Sequence, residues 1–85
     1  GLITQLDMYI WEETAKILHQ WNEMNVKAIP LSVNISPKDL CYIDIFTFFV
    51  DLVKKYQIQP NQLKLEITET GLKTDKAISF YALQI

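Results

Sequence analysis

The sequence has few of the residues that cross-link a chain or carry it through a membrane. It contains one cysteine, Cys41, so no intrachain disulfide can form, and a reducing, cytoplasmic compartment is the expectation. No apolar run approaches the ~20 residues that span a bilayer. The N-terminus also lacks the basic and then apolar segments of a signal peptide. We therefore expect no membrane contact from this segment, although a parent protein could be tethered to the membrane through other domains.

An excess of positive charge is also missing. Eight basic and ten acidic residues give a net charge of −2, which argues against binding to DNA, RNA or an anionic lipid surface. At 85 residues the chain holds one domain at most, yet 49% of it is apolar. A small unit needs less apolar material than this. We therefore expect either a homo-oligomer, formed through exposed strand edges or helix faces, or a piece of something larger.

Helical periodicity appears in three segments. The first spans 6–24 with Thr4 as N-cap, and its predicted apolar face comprises Ile10, Trp11, Thr14, Ala15, Ile17, Leu18, Trp21 and Met24. The second spans 45–56 and is capped by Asp44. The third begins at Thr74 or Asp75, with Ala77 and Ile78 on its apolar side. Between the first two, Ser36 and Pro37 predict the start of a short helical turn that ends at Cys41.

Strand-like alternation appears at 28–36 and 62–68. Each segment places apolar residues on one face and polar residues on the other. The predicted order is therefore α-β-α-β-α. Strands that alternate with helices indicate an α/β fold with two parallel strands and right-handed crossovers.

Asn34 and Glu66 lie on the polar faces of these strands, close to the end of each. In a (β/α)8 barrel, inward-facing polar residues at this end of a strand lie at the mouth where the active site forms. Carboxylate and amide oxygens suit Mg²⁺ or Mn²⁺. The alternative is an ordinary solvated face, in which Lys64 pairs with Glu66. Two ligands are too few to define a metal site, so periodicity leaves both interpretations open.

Two other residues could bear chemistry. His19 lies on the predicted polar stripe of the first helix, without a second histidine to build a site, and is interpreted as a solvated surface residue. Cys41 has no base at a suitable spacing and is interpreted as a half-buried structural thiol.

Three stretches together resemble the EAL domain, a family of bacterial phosphodiesterases that hydrolyse cyclic di-GMP. They are GLITQLDMYIWEETAKILHQW, LSVNISPKDL and LKLEITET. The resemblance implies a (β/α)8 TIM-type barrel in which Mg²⁺ or Mn²⁺ activates a water that opens the cyclic dinucleotide to pGpG. By position, Asn34 and Glu66 match the family's metal ligands. Glu69 matches a second glutamate, which supports a catalytic loop near the dimer interface.

Several motifs of that family are missing from these residues, including Glu-Ala-Leu and Asp-Asp. A whole barrel needs roughly 200 residues or more, so 1–85 is expected to be a partial EAL domain, about a third of the barrel. We expect this fragment alone to be inactive. One alternative is a degenerate EAL domain that binds cyclic di-GMP or a partner protein without cleavage. Another is a free-standing α/β interaction module.

Overall fold

The computed structural model describes residues 2–27, 29–67 and 76–79. The predictions for Glu69 and for a helix start at Thr74 or Asp75 lie outside these ranges. Within them, the elements are α1 (Leu2–Glu23), β1 (Leu31–Ile35), α2 (Pro37–Tyr42), α3 (Ile45–Tyr56), a 3₁₀ turn (Pro60–Gln62), β2 (Leu63–Ile67) and β3 (Lys76–Ser79).

The described strands form one sheet in the order β1-β2-β3. β1 and β2 are parallel, which confirms that part of the predicted fold. β3 pairs antiparallel with β2, so a helix through Ala77 and Ile78 is wrong. Over so short an apolar segment, helical and strand periodicity cannot be separated. Pairing with β2 satisfies the backbone hydrogen bonds of the segment and decides its conformation.

α1 begins earlier than predicted, at Leu2, and buries only part of the predicted apolar face. Its buried residues are Thr4, Trp11, Ala15 and Leu18, whereas Ile10, Ile17 and Met24 are exposed. Thr4 therefore lies inside the helix, not at its cap. Trp11, Ala15 and Leu18 confirm their part of the predicted face. The Trp11 indole is buried against α3, and its N–H reaches a backbone carbonyl of β1.

The predicted caps of the next two helices are confirmed. Ser36 Oγ accepts a hydrogen bond from Asp39 N, and Asp39 Oδ2 accepts one from Ser36 N, which completes a capping box. Asp44 caps α3 by accepting from Thr47 N at 3.2 Å. The chain leaves α3 through Gln57 in the left-handed conformation, with φ of 53°.

The helices cover one face of the sheet and make a single apolar core. Trp11 and Phe49 lie at its centre, with ring centroids 5.1 Å apart. The buried apolar residues are Trp11, Ala15, Leu18, Val33, Ile35, Phe49, Leu52, Ile58, Leu63 and Leu65. Burial of these side chains is the main favourable contribution to folding.

Among the described residues, no helix combines the length and apolar character needed to cross a bilayer.

Candidate metal-binding edge of the sheet

Asn34 and Glu66 are direct neighbours across the parallel pair of strands. They are register partners, and each lies one residue before its strand ends. Adjacent strands are about 4.8 Å apart, and side chains at paired positions project to the same face. The structure therefore brings together the two residues that alternation placed at the strand ends.

The face that carries this pair is open in the described part of the chain. Ser32, Asn34 and Lys64 are exposed, and Glu66 is half-buried. The intervening residues of both strands point into the core. The predicted alternation is confirmed, and a ligand can reach both oxygen-bearing side chains.

The strand backbone that carries Asn34 is tied to α1. Trp11 Nε1 donates a hydrogen bond to Asn34 O at 3.1 Å. Val33 and Ile35 on either side are buried. These contacts hold the end of β1 through its backbone and its apolar neighbours, and they leave the Asn34 amide group for other partners. Sequence reasoning missed this role of Trp11, since nothing in the pattern shows which carbonyl an indole N–H will reach.

Glu66 lies in β2, the strand that is paired on both of its sides. Glu66 pairs with Asn34 on one side and with Ala77 of β3 on the other. The start of β2 is anchored by Gln62, whose amide exchanges hydrogen bonds of 2.9 and 3.2 Å with that of Asn22. Gln62 also accepts from Gln59 N at 2.8 Å. A strand paired along both edges and anchored at its start is a rigid support for the Glu66 side chain.

The donor chemistry of the pair fits a hard divalent cation. Glu66 supplies a carboxylate and Asn34 an amide oxygen, the ligand types that Mg²⁺ and Mn²⁺ take in proteins. Within the described residues, no group of three or more His, Cys, Asp or Glu side chains is placed to hold a metal ion. The pair therefore fits as part of a larger ligand set and not as a complete site.

The interpretation of His19 as a solvated surface residue is only partly right, since 35% of its side chain is exposed but its ring also contacts α3. It is half-buried, and its Nδ1 lies 2.8 Å from Tyr56 O. The carbonyl only accepts, so Nδ1 carries the hydrogen. Tyr56 is the last residue of α3, where free carbonyls need donors. His19 thus caps α3 from α1.

Cys41 is exposed, not half-buried as predicted. Its neighbours Leu40 and Tyr42 are exposed too, and the buried residue of α2 is Asp39. The capping box turns the polar side of this short helix inward, whereas hydropathy predicts that its apolar side would be buried.

A second polar cluster joins α1 to α3. Glu12 Oε2 accepts from Lys55 Nζ at 2.8 Å and from Tyr56 Oη at 2.6 Å. The hydrogen bonds from Lys55 and then Tyr56 hold the pKa of Glu12 below its usual range. The same contact with Glu12 raises the pKa of both Lys55 and Tyr56. The cluster joins α1 to α3 through side chains on both helices.

The chain is similar to two curated bacterial proteins. It is 31% identical over 75 residues to "Cyclic di-GMP phosphodiesterase PdeF" of Escherichia coli K12, an alignment that covers 88% of this chain and 10% of that protein. It is 29% identical over 70 residues to "Signaling protein YkoW" of Bacillus subtilis 168, covering 82% and 9% respectively. The chain thus spans about a tenth of the length of these relatives.

No solved structure matches the chain significantly. The family model of the EAL domain matches residues 1–84. Because that match covers nearly the whole chain, the chain belongs to the EAL domain family.

Proposed function

We propose that this chain forms part of a cyclic di-GMP phosphodiesterase domain in which Asn34 and Glu66 bind a divalent cation. The observation that supports this most is their direct pairing at the carboxyl ends of two parallel strands, in a chain of the EAL family. One similar protein is named as a cyclic di-GMP phosphodiesterase. The proposed parent fold is a (β/α)8 barrel, with the open polar face of β1 and β2 lining its interior.

In this proposal the two residues have distinct tasks. Glu66 provides the negative charge that attracts the cation, and Asn34 provides a neutral oxygen that adds a ligand without further charge. Their register pairing sets the spacing between the two oxygens. When bound, Mg²⁺ or Mn²⁺ would polarise the phosphodiester and lower the pKa of a water, which is the chemistry needed to open the cyclic dinucleotide to pGpG.

The remaining assignments are also proposals. Glu69 supports a loop at the site and does not bind the metal. The chain alone is inactive, because the two ligands Asn34 and Glu66 are too few to complete a metal site. The reaction takes place in the cytoplasm, where an exposed thiol such as Cys41 stays reduced. Assembly into a homo-oligomer stays a prediction.

The test uses Glu66→Gln and Asn34→Ala in the full-length parent protein. Each change removes a ligand oxygen or its charge, and we expect loss of cyclic di-GMP hydrolysis by at least about 100-fold. Ser32→Ala is the matched control, since Ser32 is exposed on the same face as Asn34 and lies two residues before it in β1. Its turnover should stay near that of the parent.

Unchanged turnover in both variants would contradict the assignment. A parent that binds cyclic di-GMP but does not hydrolyse it would favour the alternative of a binding module. The name of the second similar protein mentions signalling but not hydrolysis. Binding of cyclic di-GMP and its turnover should therefore be measured separately.

A further inference from the structure

Asp39 is a fully buried carboxylate with only one of its oxygens satisfied. Oδ2 accepts from Ser36 N at 2.9 Å as part of the capping box. Oδ1 is buried and has no hydrogen-bond partner among the described residues. A buried carboxylate oxygen without a donor is costly, so a donor is expected beside it.

The group beside Asp39 is another acid, Asp7 of α1. Asp7 is half-buried, and two ionised carboxylates have no hydrogen to share between them. Burial of the carboxyl group, the hydrogen bond to Asp39 and the charge of Asp39 together raise the pKa of Asp7 to about 6. A proton on Asp7 supplies the donor that Asp39 lacks.

We propose that Asp7 and Asp39 share one proton in the folded chain, and that this proton holds α1 against α2. The proton satisfies the open oxygen of Asp39 while the other oxygen caps α2. Its loss leaves the buried negative charge of Asp39 facing that of the half-buried Asp7 across the two helices. The contact between α1 and α2 is therefore sensitive to pH, and this holds whatever reaction the domain performs.

The other titratable groups beside α1 lie against other parts of that helix. Among the described residues they include Lys38 and Tyr42 from α2, and Asp51, Lys55 and Tyr56 from α3. Those from α3 contact Glu12 or line a cavity with it, more than one turn beyond Asp7. Lys38 and Tyr42 line a cavity with Thr4 near the start of α1. β1 contributes no titratable side chain.

The sign of the pH effect follows from the direction of the shift. The pKa of Asp7 is higher in the folded chain, at about 6, than its ordinary value of 3.8. The stabilisation is complete below the lower value and is lost as pH rises through the higher one. We expect the unfolding equilibrium constant to rise by roughly tenfold to a hundredfold between about pH 4 and about pH 7.

The experiment combines a carboxyl ¹³C NMR titration of Asp7 with urea unfolding at both pH values. In the wild-type chain Asp7 should titrate near 6. Asp7→Asn keeps a donor at every pH, so its unfolding should lose most of the pH dependence, and it should exceed the wild type in stability at pH 7. Asp51→Asn is the matched control on an exposed position of α3 and should retain the dependence.

Asp39→Asn provides a second, independent readout. An amide at this position donates to an ionised Asp7, so the Asp7 titration should move downward toward its ordinary value. Titration of Asp7 near 4 in the wild type would overturn the proposal, even if a variant fails to fold. An Asp7→Asn chain with the full pH dependence of the wild type would overturn it as well.

Discussion

The two faces of the β1–β2 pair carry different residue types and have different consequences for the protein. On one face Val33, Ile35 and Leu65 are buried under the helices. On the other, Ser32, Asn34 and Lys64 are exposed. Burial makes the first face the source of stability. The second face contributes little to stability, so its polar side chains are available to bind a ligand.

A change in the apolar core should have the largest effect on folding. Phe49 is fully buried and packs on Trp11, so Phe49→Ala leaves a cavity and should lower the free energy of unfolding by about 3–5 kcal/mol. Phe46→Ala is the matched control on the same helix, at a residue 47% exposed, and should lose much less. Urea unfolding followed by far-UV circular dichroism compares the two, and equal losses would contradict the placement of the core.

Loss of the Ser36 cap, which lies between β1 and α2, should have an intermediate effect on folding. Ser36→Ala removes the oxygen that accepts from Asp39 N at 3.2 Å. We expect a loss of roughly 1 kcal/mol in the free energy of unfolding. Ser32→Ala, the same change at an exposed position of β1, should cost less. A larger loss at Ser32 would show that the polar face carries stability after all.

The polar face itself should have the smallest effect on folding. Asn34→Ala removes an exposed side chain but keeps the backbone carbonyl that Trp11 contacts. The free energy of unfolding should change by no more than about 0.5 kcal/mol. The same variant in the full-length parent is expected to lose turnover, so the comparison separates function from stability. Loss of folding in Asn34→Ala would instead assign the residue a structural role.

Local signals in the sequence were sufficient for several elements. Asp44 marks the start of α3, and the Ser36 cap marks the start of α2, because each cap is made within three residues. Strict alternation placed Asn34 and Glu66 on the polar faces. The parallel pairing then made them neighbours, as the order of helices and strands had suggested.

Other features depend on contacts distant in the chain, and sequence reasoning missed them. The hydrogen bond that Trp11 makes to a carbonyl 23 residues away helps decide which part of the predicted α1 face is buried. The helical prediction for 76–79 failed because β2 offers an edge for pairing. The contact of His19 with α3 and the exposure of Cys41 were also missed, since α3 and the capping box decide which side of each helix turns inward.

The sequence by itself determined the alternation of both strands, the caps of α2 and α3, and the membership of the EAL family. Short-range hydrogen bonds and the alternation of side chains depend on residues that are close in the sequence. They can therefore be predicted without knowing which distant segments pack together. The tertiary structure alone decided the buried face of α1, the pairing of β3 and the meeting of Asp7 with Asp39. These depend on which distant surfaces pack together, and many packings suit the same local pattern.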